Sequence, residues 1–257
     1  MGMVLAVAFA TTAQAGRHCE EQPPSAWETQ QGMALAQTTA VRLEASGADV
    51  VLLARAGQDL SRYSLAWSHV GFAYRELAED GTAQWRVAHK LNHCGTDSAQ
   101  VYRQGLGEFY MDRPWRYQAP FVVLSPDAQA KLLPLLQDNQ RLAQWHTARY
   151  SMLAYPWSTR YQQSNQWAIE TLAGALDEAA SNRPRAQAWL QLHGYEPTTL
   201  HLNAFTRLGG RMTQANIAFD DHPNAKRYGA RIETVTVDSV FAWLQREALG
   251  GPVQVLP

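Results

Sequence analysis

The sequence lacks an excess of charge of either sign, and this limits the partners it can bind. Of its 257 residues, 22 are Lys or Arg and 23 are Asp or Glu, so the formal net charge is -1. Nucleic-acid binding needs a basic surface that displaces counterions, so no nucleic-acid partner is expected. Intrinsic disorder is excluded as well, because 46% of the residues are hydrophobic and disordered chains combine few apolar residues with a high net charge.

The sequence also lacks an apolar run of about 18 residues, the length that a membrane-spanning helix requires. Residues 3–10 read MVLAVAFA, which is too short to cross a bilayer. Ala13 and Ala15 then place small residues at the two positions that a signal peptidase reads. We therefore expect residues 1–15 to be a bacterial signal peptide, with a periplasmic or secreted mature protein that has no integral membrane segment.

Cysteine is scarce, since the chain has only Cys19 and Cys94. Two cysteines in an oxidising compartment favour one disulfide. A Cys19–Cys94 bridge would close a loop of about 75 residues, worth roughly 4 kcal/mol in the chain-entropy model. The alternative is that Cys94 is a free nucleophile or a metal ligand.

Helix and strand signals are mixed along the chain without regular β-α-β alternation, which predicts one α+β domain over residues 16–257, with an antiparallel sheet and flanking helices. Capping residues, terminal glycines and apolar spacing predict helices over residues 33–46, 125–137, 164–180, 184–194 and 238–248. Apolar or alternating runs predict strands over residues 49–55, 67–74, 84–91, 119–124 and 231–237. An extended arm is expected over residues 17–30 and irregular structure over residues 203–230.

Two histidines fall on neighbouring predicted strands. By strand alternation His69 shares a face with Gly71, so space remains beside the imidazole. If the strands form an antiparallel hairpin in which Tyr74 pairs with Gln84, His69 and His89 lie directly opposite each other, about 5 Å apart at Cβ. His89 would then orient His69, as a third polar group orients the base in catalytic triads. The alternative is that a strand histidine is structural.

Ser164 is the candidate nucleophile by its position at the start of a predicted helix. Backbone N–H groups and the helix dipole at such a terminus can stabilise an oxyanion. The alternative is that Ser164 is an ordinary N-cap, a role in which serine is common.

Five stretches of the sequence resemble a known family. They are SHVGFAY, WRVAHKLNHCGT, YRQGLGEFYMD, YPWSTRYQQSNQW and FDDHP. The family is a group of uncharacterised secreted bacterial proteins, domain of unknown function 2145. The resemblance covers almost the whole mature chain and implies no activity.

The order of elements also looks like that of circularly permuted papain-like enzymes, the group with lecithin:retinol acyltransferase and permuted NlpC-type hydrolases. In that group an HVGIY-like strand carries the catalytic histidine and the next strand a third polar residue. A nucleophilic cysteine then opens a later helix. The resemblance implies these roles for His69, His89 and Ser164, and it implies amide or ester hydrolysis or acyl transfer.

The chain departs from that group at the nucleophile, where Ser164 stands in the place of cysteine. A thiol can be ionised before it attacks, whereas a serine hydroxyl must lose its proton during attack. The departure leaves three interpretations: a serine variant of the hydrolase, a non-catalytic binding or envelope-assembly protein on the same scaffold, or a different alignment.

A second cluster contains residue types that ligate metals. It comprises His89, His93 and Cys94, with Asp220, Asp221 and His222 as further candidates. A zinc site needs three or four ligands, and His89 is expected on a strand, so neither a metal site nor a cofactor is predicted. The alternative for FDDHP is a turn, in which aspartate side chains bind nearby backbone N–H groups.

Four further residues are candidates for contacting a substrate. Asn165 and Gln166 follow Ser164, and Arg160 and Arg207 lie in polar, aromatic stretches. A guanidinium group can hold an anion bidentately, although each arginine can equally form a structural ion pair. The predicted periplasmic or secreted location suggests a small-molecule, peptidoglycan-peptide or lipid-like substrate.

Overall fold

The structure, a computed structural model, describes residues 23–78 and 80–257 of the chain. Two antiparallel sheets are formed within these ranges. Their strands are β1 (Val50–Arg55), β2 (His69–Leu77), β3 (Ala83–Asn92), β4 (Ala99–Gly105), β5 (Ala119–Val123), β6 (Thr198–His201), β7 (Arg231–Thr234) and β8 (Gln254–Leu256). The helices are α1 (Ala26–Ser46), α2 (Leu106–Tyr110), α3 (Pro126–Gln137), α4 (Asn139–Ala143), α5 (Ser164–Leu176), α6 (Arg183–Leu192), α7 (Ala204–Thr213), α8 (Asn224–Tyr228) and α9 (Val237–Arg246).

The main sheet has six strands in the order β4-β3-β2-β1-β5-β8, and each neighbouring pair is antiparallel. β1 is buried along its whole length, as its apolar sequence predicts. β6 and β7 form a separate two-stranded sheet. The predicted α+β class, an antiparallel sheet with flanking helices, is therefore confirmed.

Strand alternation sends the side chains of β1 into two different cores. Leu52 packs in the core that holds α3, α5, α6 and α9, together with Trp167 of α5. Leu53 packs on the opposite face, in the core that holds α1 and α2. A third, small core lies around β6 and β7. Among the described residues no helix is both long and apolar enough to cross a membrane.

The region before the first sheet strand differs from its prediction. α1 begins at Ala26, within the segment expected to be an extended arm and ahead of the predicted start at Met33. The reason is a capping box, in which the Ser25 side chain accepts from the Glu28 backbone and the Glu28 side chain accepts from the Ser25 backbone. Gly47 ends the helix in the left-handed conformation, as predicted.

Several later elements also differ from their predictions. β4, α2, β6 and β8 were not predicted, and the stretch 203–230 contains α7 and α8 rather than irregular structure alone. α5 ends at Leu176, four residues before its predicted end. β7 stops at Thr234, and α9 begins at Val237 because Thr236, not Asp238, is the capping residue.

Candidate active site

His69 and His89 are brought together, although the hairpin register is not the predicted one. Tyr74 pairs with Arg86 rather than with Gln84, which is a shift of two residues. A two-residue shift keeps every side chain on its own face, whereas a one-residue slip would not. The rings therefore still meet, diagonally across β2 and β3, with His69 Nε2 2.8 Å from His89 Nδ1.

Gln104 on β4 extends this contact and was missed from the sequence, because its strand was not predicted. His89 Nε2 lies 2.8 Å from Gln104 Oε1. An amide oxygen can only accept, so His89 carries its proton on Nε2 and its Nδ1 accepts from His69 Nε2–H. The protonated nitrogen of His69 is thereby fixed as Nε2, and Nδ1 is left with a free lone pair.

The Nδ1 atom of His69 is the reactive end of this series. No described residue forms a hydrogen bond with it, and the atom is not completely shielded from solvent. His69 lines a large cleft. The series from Gln104 through His89 therefore leaves an unprotonated nitrogen of fixed tautomer on His69, a residue that lines the cleft.

The surroundings keep both imidazoles neutral at pH 7. Burial first, and then the charge of Arg55, lower the pKa of His89 to about 3. Burial, Arg55 and His89, in that order, hold the pKa of His69 well below its usual range. Arg55 is itself fixed by the Phe109 carbonyl and by a 2.5 Å ion pair with Asp112. His69 is thus free to accept a proton, but the imidazolium that results is disfavoured.

Ser164 is the first residue of α5, so the predicted start of this helix is confirmed. It is not the N-cap, because Gln163 holds that position and its side chain makes no capping hydrogen bond. Within the described residues, the backbone N–H groups of Ser164 and Asn165 donate to no acceptor. They are unsatisfied donors of the kind that every helix start presents.

Asn165 fixes the start of α5 beside His69. Its Oδ1 accepts from the Val70 backbone N–H at 3.0 Å, and its Nδ2 lies 3.4 Å from the Ser68 carbonyl oxygen. These two backbone groups flank His69 in the chain. Ser164 and His69 consequently line the same cleft, although the structure has no hydrogen bond between them.

The Ser164 hydroxyl has a neighbour in the phenol of Tyr150. Burial raises the pKa of Tyr150, and a hydrogen-bonding interaction with Ser164 lowers it by less. Tyr150 therefore stays a neutral phenol at pH 7.

The cleft that contains these residues has a volume of about 1470 Å³. Polar groups of β2, α5 and the segment 234–236 form one part of its lining. Most of the remaining wall is apolar or aromatic, and this part includes Leu60, Leu65, Trp67, Met152, Leu153, Leu200, Leu202, Ile217 and Phe219. Charged side chains line the cleft as well, namely Glu28, Asp59, Arg62, Asp112 and Arg113. Such a lining suits a ligand with an apolar body and a polar or charged part.

Three of the candidate substrate-contacting residues do not line the cleft. Arg160 forms a 2.8 Å ion pair with Asp220, and Arg207 donates to the Leu202 carbonyl at 2.5 Å. The Gln166 side chain donates to the backbone carbonyl of Pro156 at 3.1 Å. Of the four candidates, only Asn165 lines the cleft.

The residues considered as metal ligands do not come together in the fold. Both ring nitrogens of His89 are used by His69 and Gln104, and both nitrogens of His222 are used as well. His222 Nδ1 lies 2.9 Å from Asp221 Oδ1, and its Nε2 lies 2.9 Å from the Glu233 carbonyl oxygen. In the part of the chain that the structure describes, no three His, Cys, Asp or Glu residues gather as metal ligands. FDDHP is a structural turn.

The predicted disulfide and signal segment extend beyond the described part of the chain. Cys94 lines the cleft. Its predicted partner Cys19 lies outside the described residues, as does the predicted signal segment 1–15. The disulfide and the signal peptide therefore stay predictions.

Behind α5 lies a buried polar network, which we define as Lys90, Gln162, Glu170, Arg183 and Gln187. Arg183 pairs with Glu170 at 2.7 Å, and both amide side chains also donate to that carboxylate. Lys90 donates to Gln162 Oε1 at 2.8 Å. Because Gln162 and Glu170 flank Ser164 in the chain, this network stiffens the segment that carries Ser164.

Gly71 makes room for the histidine pair, and replacing it tests this packing. A Cβ at position 71 would lie 2.8 Å from His89 Cβ and 2.9 Å from the Ala88 carbonyl oxygen. We expect Gly71→Ala to lower the free energy of unfolding by about 1–3 kcal/mol, measured by urea denaturation. The control is Gly251→Ala, where the nearest atom lies 3.8 Å away. Equal stability of the two variants would contradict this packing.

Comparison with known proteins gives a family. A family model described as an uncharacterized protein conserved in bacteria (DUF2145) matches residues 42–244. The match includes β2, β3, β4 and the start of α5, and thus every residue of the candidate site. No curated protein and no solved structure matches the chain.

Proposed function

This chain belongs to the DUF2145 family of bacterial proteins, and from the geometry of its cleft we propose that it hydrolyses or transfers acyl groups with Ser164 as nucleophile. One observation carries the proposal: the hydrogen-bonded series Gln104–His89–His69 ends in a free lone pair on His69 Nδ1, in the cleft that Ser164 also lines. A base oriented by further polar groups beside a hydroxyl is the general arrangement for nucleophilic catalysis.

The reaction follows from these positions. Ser164 Oγ attacks the carbonyl carbon of an ester or amide, and its proton passes to His69 Nδ1. The unsatisfied N–H groups at the start of α5 hold the oxyanion, a contribution of about 10²–10³-fold per donor in known enzymes. The carbon–oxygen or carbon–nitrogen bond breaks as His69 returns the proton to the leaving group. Water or a second alcohol then releases the acyl group by the reverse steps.

His89 and Gln104 are positioning residues in this scheme. His89 keeps the His69 proton on Nε2, and Gln104 fixes the tautomer of His89. Neither residue touches the substrate.

The substrate class is proposed from the lining of the cleft. Its wall is mostly apolar, which suits an acyl chain, and the charged residues that share the lining suit a polar or charged headgroup. A lipid-like ester or amide is therefore the substrate we propose, in a periplasmic or secreted mature protein that begins at Gly16 and carries the Cys19–Cys94 disulfide.

A second candidate function, a binding or envelope-assembly protein without catalysis, is favoured by the electrostatics. Burial, and then the charge of Arg55, disfavour the imidazolium that must form on His69, and the structure has no hydrogen bond between Ser164 and His69. On this interpretation the cleft holds an acyl compound and leaves it unchanged.

A serine-directed fluorophosphonate separates the two candidates. If Ser164 is the nucleophile, its Oγ bonds to phosphorus, fluoride leaves, and the protein gains the mass of the phosphonyl group. We expect labelling that disappears in Ser164→Ala and persists in Ser61→Ala, an exposed serine near the cleft. An unlabelled wild-type chain that still binds a fatty-acid probe, with unchanged affinity in Ser164→Ala, would support the binding protein instead.

A further inference from the structure

α7 lies on the surface with an unusual distribution of side chains. A surface helix normally buries an apolar stripe, yet none of the α7 side chains that the structure describes is buried. Its large apolar residues point outward: Phe205 is 86% exposed, Leu208 57% and Met212 78%. Their spacing of three and four residues puts them on one side of the helix.

The neighbouring helix extends this apolar surface. The pairing of His201 with Arg231 places the start of α7 and the end of α8 at the same end of the small sheet. The last residue of α8, Tyr228, is exposed as well. We call Phe205, Leu208, Met212 and Tyr228 the α7 face.

Arginines lie beside the α7 face. Arg211, Arg227 and Arg231 form no ion pair with a described residue. Arg207 lies on another side of α7 and donates to the Leu202 carbonyl. Of the acidic groups nearby, Asp220 pairs with Arg160 and Glu233 with Lys226, and Asp221 is hydrogen-bonded to His222. Asp97 lines a small cavity together with Arg211. Apolar side chains beside arginines that lack an ion pair are the combination that binds anionic lipid surfaces.

α7 also forms part of the cleft wall. Thr206 and Gly210, one turn apart on another side of the helix, line the cleft. A surface held against the α7 face therefore lies next to one wall of the cleft.

We propose that the α7 face docks on the anionic surface of a lipid bilayer, with its apolar side chains among the headgroups and its arginines on lipid phosphates. A second copy of the chain fits less well, because a symmetric contact would bring these arginines of both copies together. Docking of this kind is independent of any reaction at Ser164.

Vesicle sedimentation tests the proposal on the purified chain. We expect binding to vesicles of phosphatidylcholine with about 30% phosphatidylglycerol that is at least tenfold tighter than binding to phosphatidylcholine alone, and that weakens as salt is raised. The triple variant F205S/L208S/M212S is expected to lose at least tenfold in binding. Leu192→Ser is the control, since Leu192 is 82% exposed on α6, and its binding is expected to be unchanged.

Two checks separate docking by the α7 face from unfolding and from lipid binding by the N-terminal stretch. The replaced side chains are exposed, and equal thermal melting of both variants shows that neither is unfolded. The apolar stretch 3–10 can itself bind lipid, so mass spectrometry must give the same N-terminus for both variants. Equal vesicle binding by the triple variant and the control would overturn the proposal. So would a dimer in sedimentation equilibrium that the triple variant abolishes, because the α7 face would then contact a second copy.

Discussion

Replacing Arg183 by methionine is expected to lower the free energy of unfolding by about 3–5 kcal/mol, because the buried Glu170 carboxylate loses the one cationic group that contacts it directly among the described residues. Both side chains are almost completely buried. The guanidinium also donates to the backbone carbonyls of Thr159 and Tyr161, which would be left unpaired. These carbonyls belong to the segment before Ser164, so the same variant is expected to disturb the site.

Urea denaturation of Arg183→Met and Arg185→Met measures this effect against a matched control. Arg185 lies on the same helix and is exposed, and within the part of the chain that the structure describes its guanidinium donates only to the Ser181 hydroxyl. Its replacement is expected to cost less than about 0.5 kcal/mol, as for ordinary surface positions. A loss below about 1 kcal/mol in Arg183→Met would show that Glu170 is compensated in another way.

Stability is expected to rise between pH 7 and pH 9, because Lys90 is buried in its neutral form. Burial, and next the charge of Arg183, lower the pKa of Lys90 from 10.5 to about 6, while Glu170 opposes this shift. A neutral amine has two N–H groups, and Lys90 has two acceptors, the Thr147 carbonyl and Gln162 Oε1. The hydrogen bonds therefore agree with the lowered pKa.

The number of protons bound by the folded and the unfolded chain decides whether stability rises or falls with pH. Between pH 6 and pH 10.5 the unfolded chain holds a proton on Lys90 that the folded chain lacks. Raising the pH removes this advantage of the unfolded state, so the free energy of unfolding increases by up to about 1.4 kcal/mol per pH unit. Lys90→Met is expected to abolish the slope. A slope that persists in Lys90→Met, or a wild-type curve that falls with pH, would contradict a neutral Lys90.

Local signals in the sequence predict the strongly patterned elements of this fold. The apolar run of β1 and the Ser125-Pro126 start of α3 are both found where they were expected. β4 was missed because it is a polar, half-buried strand whose partner is specified by tertiary packing. α7 was missed because Gly209 and Gly210 interrupt its pattern, and glycine disfavours the interior of a helix.

From the sequence it could be predicted which candidate residues share a face of the sheet, but not which atoms meet. Alternation put His69 and His89 on one face, and an error of two residues in register left that result intact. Gln104 and Tyr150 depend on contacts between distant segments, which no local pattern encodes. The likeness to permuted papain-like hydrolases stays a prediction, since no solved structure matches the chain.

The rate at which a fluorophosphonate labels Ser164 in His69→Gln, relative to the wild type, tests the central claim most directly. The variant keeps a polar side chain but loses the free Nδ1 base, and general-base catalysis is worth about 10²–10⁴-fold. We predict at least a hundredfold slower labelling of Ser164 in His69→Gln than in the wild type. Equal rates in the two proteins would show that His69 does not activate Ser164, and the catalytic account of this cleft would be wrong.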